Sequence, residues 1–167
     1  MIVKKLESMR DVYVVQESYH KDERGYTFTI QSEDYGLPCR FVLTKAITGR
    51  RGATRGFHGD WTTWKLFGVV DGSIDLVLLD VRPGAGGQMK RFHLTKKNRL
   101  QVLVPPGVAN AHQGNSRYAL VYHWSEPYNI GGQFSIHPAA WDWKHKPILS
   151  DRDKNAPTLE SYLNAQN

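Results

Sequence analysis

Short apolar runs separated by turn residues constrain the fold of this chain more than any other feature. Runs rich in Val, Tyr, Phe, Leu and Ile recur at intervals of about 8 to 12 residues, with Gly, Pro and Asp between them. Regularly spaced short strands with few helices are typical of a sandwich or a barrel. The predicted strands cover residues 11–19, 26–32, 40–47, 64–70, 74–81, 90–94, 100–104, 119–124 and 133–136.

The breaks between these runs predict the rest of the chain's organisation. Asp71-Gly72 lies between two apolar runs, a pattern that predicts a tight hairpin. A helix is predicted only for residues 157–163, where Pro157 suits the first helical turn. No repeat, linker or low-complexity tract divides the sequence. We therefore predict an all-β protein with one short C-terminal helix, forming a single domain over residues 1–167.

The composition excludes several classes of protein. A single cysteine excludes a disulfide framework and a zinc site built on several thiolates. Residues 1–10 carry charge with no apolar stretch after them, so we expect no signal peptide. Since no apolar run approaches about 18 residues, we also expect no membrane span. These observations predict a soluble, cytoplasmic protein.

The formal net charge of +6 is compatible with more than one kind of partner. Arg50, Arg51 and Arg55 form the tightest basic group, but they lie in a Gly-containing stretch and not on a recognition helix. The sequence has no helix-turn-helix, zinc-finger or RNA-binding signature, which argues against a nucleic acid. Two interpretations stay open: a solvated basic surface, or a few arginines that bind a small phosphorylated ligand.

Taken singly, the polar residues near the predicted strands have ordinary explanations. His58 comes just before the predicted strand at 64–70, and Lys65 lies inside that apolar run, where a lysine usually turns toward solvent. Tyr122 within a strand is typical of core packing. Residues 149–153 are typical of an acidic turn or a helix cap. Spacing alone therefore does not define a mechanism.

Taken together, these segments resemble one family. The chain is similar to the nucleotide-sugar 4-keto epimerases typified by dTDP-4-dehydrorhamnose 3,5-epimerase. A closer likeness, to a branch that acts on GDP-linked keto-heptoses, lies in Arg55-Gly56-Phe57-His58-Gly59-Asp60, Asn110-Ala111-His112 and residues 148–153. The family resemblance is carried by Glu23-Arg24-Gly25-Tyr26, Arg55-Gly56-Phe57-His58, Lys65, residues 71–82, the turn at 105–107, Tyr122, Trp141-Asp142-Trp143 and residues 149–153.

The resemblance implies a cupin-type jelly-roll barrel, a homodimer and an isomerase that needs no cofactor. The residues agree with the absence of a metal. Metal-binding cupins use a His-x-His pair and a nearby glutamate, whereas this chain has His58-Gly59-Asp60 and no glutamate between Glu33 and Glu126. Asn110 occupies the position of the last expected ligand. A site of converging imidazoles is therefore not expected.

The resemblance also implies catalytic roles for inverting C3, C5 or both in a nucleotide-diphosphate 4-keto sugar. His58 corresponds to the base that removes the proton, and Asp153 to the carboxylate that orients it. Lys65 corresponds to the cation near the C4 carbonyl oxygen, where it would stabilise an enolate. Tyr122 corresponds to the acid that returns a proton to the opposite face.

Further residues are candidates for binding the substrate. Arg24 and Arg55 suit the diphosphate, because guanidinium groups bind phosphate oxygens in a bidentate manner. Asn110 stands where the best-known family members carry a histidine, and an amide cannot accept and hold a proton. His112 lies two residues along and should face the same way, so it is a candidate to replace part of that function. Three aromatic residues either wall the sugar or pack in the core: Tyr128, Trp141 and Trp143.

Two other functions stay open at this point. A 3,4-ketoisomerase uses similar proton transfers, and a non-catalytic cupin would only bind the nucleotide sugar. The second is disfavoured because binding needs no carboxylate-supported histidine. The sequence leaves open the nucleobase (guanine or thymine), a six- or seven-carbon sugar, and which carbons invert.

Overall fold

Two antiparallel sheets face each other in the computed structural model, which describes residues 1–166; residue 167 of the predicted domain lies outside the described residues. The first sheet has six strands in the order β1-β2-β10-β7-β12-β5, and the second has five in the order β13-β6-β11-β8-β9. A separate pair, β3-β4, forms a small third sheet. The architecture is a jelly roll, and the prediction of an all-β fold is confirmed.

The strands span three to eight residues, and the two helices span four and six. Asp151–Lys154 forms α1 and Leu159–Asn164 forms α2. The strands are Ile2–Lys5 (β1), Tyr13–Gln16 (β2), His20–Asp22 (β3), Gly25–Thr27 (β4), Leu43–Gly49 (β5), Thr54–Asp60 (β6), Lys65–Asp71 (β7), Ser73–Asp80 (β8), Gln88–Thr95 (β9), Leu100–Val104 (β10), Val108–Gly114 (β11), Tyr118–Trp124 (β12) and Gln133–Ser135 (β13).

Strand alternation places the main core between the two large sheets. Along β8, Ile74, Leu76 and Leu78 point into the cluster that also holds residues of β7, β10 and β12. Val77 and Leu79 point to the other face, where a second cluster includes Tyr162 of α2. The C-terminal segment thus covers the outside of the second sheet. Within residues 1–166, no helix is long and apolar enough to cross a membrane.

The sequence prediction missed four strands: β1, β3, β6 and β11. Two of them, β6 and β11, lie inside the second sheet. His58 precedes the predicted strand at 64–70, which is β7, but it also lies within a strand of its own, β6. Both β6 and β11 contain Gly together with Asn, Ala or His, residues with little intrinsic preference for strands. Pairing overrides that preference, because β6 lies between β13 and β11, and β11 lies between β6 and β8.

The predicted hairpin at Asp71-Gly72 is also wrong. The turn exists, with Gly72 at a φ of 71°, but it leads from β7 in the first sheet to β8 in the second. Strand β7 pairs with β10 and β12, whereas β8 pairs with β9 and β11. Each strand is buried on both faces and finds its partners elsewhere, so the local turn signal decides the reversal but not the pairing.

The predicted strand at 26–32 is shorter than expected, and the predicted C-terminal helix is present. In the predicted strand 26–32, strand structure ends at Thr27, where β4 pairs with β3. The helix predicted at 157–163 is confirmed as α2, but it begins at Leu159 with the Thr158 side chain as its cap, so Pro157 lies before the helix and not in its first turn. A second short helix, α1, was not predicted. The acidic turn at 149–153 forms α1, capped by Ser150.

A close backbone approach joins β6 to β11. Gly56 has a φ of 105°, and a Cβ built on it would overlap the carbonyl oxygen of Asn110 and lie 2.8 Å from Cα of Ala111. Only glycine combines this φ with this contact. The contact lies between Arg55 and His58, so it fixes the local course of the strand that carries both side chains.

We predict that Gly56→Ala lowers the free energy of unfolding by about 1–3 kcal/mol more than Gly84→Ala. Gly84 also has a positive φ, of 80°, but a Cβ there meets nothing within 4 Å. The pair of variants therefore separates the cost of the close approach from the cost of the backbone conformation. Urea denaturation of both variants measures the difference, and equal losses would contradict the role given to the β6–β11 contact.

Candidate active site

The candidate active site is a cavity of about 300 Å³ between the two large sheets. Its walls come from β5, β7 and β12 of the first sheet and from β6 and β11 of the second, with α1 at one side. The cavity is polar at positions where alternation would otherwise continue the apolar core. Of the predicted site residues, it brings together Arg55, His58, Lys65, Asn110, His112, Tyr122 and Asp153.

His58 and Asp153 form a hydrogen-bonded pair across the gap between β6 and α1. His58 Nε2 lies 2.7 Å from Asp153 Oδ1, and the side chains are 29% and 3% exposed. Burial acts to raise the pKa of Asp153, but hydrogen bonds from His58 and Ser150 and the charge of His58 bring that pKa below its ordinary value. Because Nε2 is engaged, Nδ1 is the ring nitrogen left to accept a proton.

Lys65 is a buried ammonium on the wall formed by the first sheet. Lys65 is only 4% exposed, so its side chain does not turn toward solvent as a lysine in a strand usually does. Burial lowers the pKa of Lys65 to about 8, while the charge of Asp60 acts to raise it. Among the described residues, no carboxylate lies within ion-pair distance of the ammonium. A buried cation without a carboxylate partner is suited to stabilise negative charge on a ligand.

Tyr122 lies on β12 of the first sheet, whereas His58 lies on β6 of the second, so the two side chains reach the cavity from opposite walls. The Tyr122 ring stacks on Phe67, with centroids 5.1 Å apart. Burial raises the pKa of Tyr122, which keeps the phenol protonated at neutral pH. The cavity therefore holds a candidate base and a candidate acid on two faces.

Asn110 stands directly beside His58, its partner in the register of β11 with β6. The residue is 8% exposed, and its Oδ1 has no hydrogen-bond partner within residues 1–166. A buried acceptor without a donor is costly, so a ligand hydroxyl at this point would be stabilising.

His112 faces the same cavity as Asn110, despite an irregularity of register between the two positions. Its Nε2 lies 2.9 Å from the Tyr118 hydroxyl. Complete burial, together with the nearby Arg55 and His58, lowers the pKa of His112 to about 3. The imidazole is therefore neutral at physiological pH, and one of its nitrogens is already engaged.

Arg24 is the one predicted site residue that lies outside the cavity. It belongs to the turn between β3 and β4, and its side chain is 89% exposed. Its guanidinium Nη2 pairs with Asp22 Oδ2 at 2.5 Å. The small β3-β4 sheet is separate from the two large sheets. For this reason Arg24, although it belongs to a segment that resembles the family, does not reach the cavity of its own chain.

The sequence reasoning missed several residues that line the cavity: Lys45, Trp124, Gln133 and Arg152. Lys45 carried a signal, because it alternates with Leu43 and Ile47 and so shares their inward face. Of the aromatic candidates, Tyr128 lines the cavity, whereas Trp141 and Trp143 pack against the outer cluster of the second sheet. No three His, Cys, Asp or Glu side chains within residues 1–166 come together as a metal-ligand group.

The fold and the cavity define the class of protein: a jelly-roll barrel with ionisable side chains converging from both walls. The family model for dTDP-4-dehydrorhamnose 3,5-epimerase matches residues 7–161, and the chain belongs to this family. It is accordingly an enzyme of the carbohydrate epimerase type, an isomerase.

Individual relatives agree with this assignment. The chain is 26% identical to dTDP-4-dehydrorhamnose 3,5-epimerase of Salmonella typhimurium, over 92% of this chain and 93% of that protein. It is 30% identical to dTDP-4-dehydro-6-deoxyglucose 3-epimerase of Streptomyces bikiniensis, over 84% and 80%. A crystal structure of dTDP-6-deoxy-D-glucose-3,5-epimerase from Legionella pneumophila, in complex with dTDP-4-keto-L-rhamnose, superposes with a TM-score of 0.85, at 25% identity over 95% and 93% of the two chains.

We predict that Lys65 makes the stability of this protein rise with pH between about 8 and 10.5. Its pKa is about 8 when folded against 10.5 for a free lysine, so the unfolded chain binds more protons in this range. Relative to Lys65→Met, the wild-type free energy of unfolding should gain at most about 3 kcal/mol between pH 7 and pH 10. Urea denaturation of both proteins at the two pH values tests this, and parallel pH dependences would contradict a buried, charged Lys65.

Proposed function

We propose that this protein inverts C3, C5 or both of a nucleotide-diphosphate 4-keto sugar through an enolate. The observation that carries the proposal is the arrangement of the cavity: an Asp153-supported His58 on one wall, Tyr122 on the opposite wall and the buried ammonium of Lys65 beside Tyr122 in the first sheet. Inversion needs a base and an acid on opposite faces of one carbon, and this arrangement supplies them.

Proton removal falls to His58. With its Nε2 proton held by Asp153, Nδ1 accepts the proton from the carbon next to the ketone. The electrons of that C–H bond form a carbon–carbon double bond to C4, and the carbonyl oxygen becomes an enolate. Asp153 then lies against the imidazolium, whose charge it stabilises.

Lys65 and Tyr122 complete the reaction. The ammonium of Lys65 faces the developing enolate oxygen, in a buried setting where such a charge contributes several kcal/mol. Tyr122 donates its phenol proton to the other face of the carbon as the carbonyl re-forms. Solvent exchange then returns a proton to the phenolate and removes one from His58, so that no external reactant is consumed.

Substrate binding is supported by groups near this centre. Arg55 supplies a permanent charge for the diphosphate, and Asn110 offers a buried acceptor to a sugar hydroxyl. His112, on the same strand as Asn110, forms a hydrogen bond with the Tyr118 hydroxyl of β12 and stays neutral. Arg24 has no part in this proposal, since it lies outside the cavity of its own chain.

The relatives help to choose among substrates. One is named a 3,5-epimerase and the other a 3-epimerase, so C3 is the centre that both names share. Both names specify a dTDP sugar, which makes dTDP-4-keto-6-deoxyglucose the first substrate to assay. A GDP-linked 4-keto-heptose is the alternative, supported by the sequence likeness around Arg55 and Asn110. A 3,4-ketoisomerase would yield a product with the carbonyl at C3.

We predict that incubation of the wild type with the 4-keto sugar in deuterated water places deuterium at the inverted carbon. His58→Asn should slow this exchange by about 10²- to 10⁴-fold, since the amide cannot take up the proton. NMR of the product identifies the exchanged carbon and the position of the carbonyl. Binding of the nucleoside diphosphate should persist in the variant, because the proposal assigns the diphosphate to Arg55 and not to His58.

His137→Asn provides the control, since His137 is a half-buried N-cap of the 3₁₀ turn Pro138–Ala140 and is not among the residues that line the cavity. Its exchange rate should match the wild type. Unchanged turnover in His58→Asn would contradict the role of His58. Absence of exchange with every dTDP- and GDP-linked 4-keto sugar tested would contradict the proposed function as a whole.

We further propose that the protein is a homodimer. The outer strands of the first sheet, β1 and β5, each have one edge that pairs with no other strand within residues 1–166. Ile2 and Val42, at these edges, are 61% and 64% exposed. Pairing with a second copy would satisfy both features. Light scattering coupled to size-exclusion chromatography should give twice the mass of the chain, and a mass equal to one chain at micromolar concentration would contradict this.

A further inference from the structure

Lys45 presents a second ammonium group to the cavity, in a setting that the proposed mechanism does not use. It lies on β5, and its Nζ is 4.3 Å from the ring centroid of Trp124 and 4.1 Å from that of Tyr128. Burial lowers the pKa of Lys45. Cations within about 6 Å of an aromatic face are attracted to it, so the two rings hold the ammonium at the cavity wall.

The same indole also carries the buried ammonium of Lys65, whose Nζ lies 4.8 Å from the Trp124 centroid. The two lysines come from the strands on either side of β12, so one ring joins them. Within residues 1–166, neither lysine has a carboxylate within 4.0 Å. Among the described residues, this part of the cavity therefore offers two ammonium groups without a carboxylate to pair with them.

Lys45 and Arg55 contact β12 at different points along that strand. Arg55 pairs in register with His112, and its guanidinium interacts with the Tyr118 hydroxyl at the start of β12. Lys45 contacts Trp124 at the end of the same strand. Lys45 itself pairs in register with Tyr122, four positions along β12 from Tyr118, which corresponds to about 13 Å of extended strand.

This separation decides which part of the substrate each cation meets. In the proposed function, Arg55 holds the diphosphate, which is attached at C1 of the sugar. The carbons around C4 then extend toward Lys65 and Trp124, away from Arg55. The Lys45 ammonium, which lies over the Trp124 ring, would therefore contact the sugar and not the phosphates.

We propose that Lys45 is a substrate-binding residue that donates a hydrogen bond to an oxygen of the sugar, held in position by Trp124 and Tyr128. The inference rests on the proposed function for the orientation of the substrate. Lys45 would bind the sugar part of a nucleotide sugar. It would therefore raise the affinity for the nucleotide sugar without changing the affinity for the nucleoside diphosphate alone.

The test compares two ligands without turnover. Calorimetry measures binding of dTDP and of dTDP-glucose, which has no ketone, to the wild type and to Lys45→Met; GDP and GDP-mannose are run in parallel. Methionine keeps the length and the packing of the side chain and removes the charge. We expect about 10- to 100-fold weaker binding of the nucleotide sugar and a change within about twofold for the nucleoside diphosphate.

Matched variants separate a contact with the sugar from a packing role. Arg55→Met should weaken both ligands, Lys90→Met on exposed β9 neither, and Lys45→Arg should keep most of the sugar affinity. Tyr128→Leu, at a half-exposed ring, should reproduce part of the Lys45→Met loss. Equal weakening of both ligands by Lys45→Met would move the contact to the diphosphate, and an unchanged affinity would show packing alone; either result overturns the proposal.

These outcomes are independent of the isotope-exchange test. Binding of dTDP-glucose or GDP-mannose to the wild type reports on the cavity whether or not epimerisation occurs. If the wild type exchanges deuterium but Lys45→Met binds the nucleotide sugar normally, only the role of Lys45 fails. If the wild type binds none of the four ligands, the proposed function fails and this inference fails with it.

Discussion

The pairing of β6 with β11 is the interaction on which the rest of the site depends. Both strands lie inside the second sheet, and their backbones approach so closely at Gly56 that a side chain has no room there. This approach sets His58 beside Asn110 and aims both at the cavity. Since Asp153 of α1 lies 2.7 Å from His58, the hydrogen bond between these two side chains also depends on the position of β6.

The electrostatics of the cavity follow from the strands around it. Positive groups reach it from both walls, Arg55 from the second sheet and Lys45 and Lys65, around Trp124, from the first. The buried carboxylate of Asp153 is engaged by His58, and so it does not neutralise these cations. A site of this kind suits a ligand that brings its own negative charge and many acceptor oxygens, as a nucleotide-diphosphate sugar does.

Much of the fold was predictable, because period-two alternation and turn residues are local signals. The apolar runs that became β7, β8, β10 and β12 were found, and so was α2. The strands β6 and β11 were missed because their Gly, Asn and His residues favour other conformations, and pairing with neighbours on both sides overrides them. The partners of β7 and β8 were mispredicted, because the Asp71-Gly72 turn specifies a reversal but carries no information on distant strands.

The sequence by itself determined the strand-rich architecture and, through a likeness spread along the chain, the residue types of the site. Only the tertiary structure decided which of them meet: it joined Asp153 to His58, placed Tyr122 on the opposite wall and left Arg24 outside. It also placed the inward-facing Lys45 against two aromatic rings. The physical reason is that a strand's pattern specifies which residues share a face, whereas sheet pairing and packing between distant segments decide what that face meets.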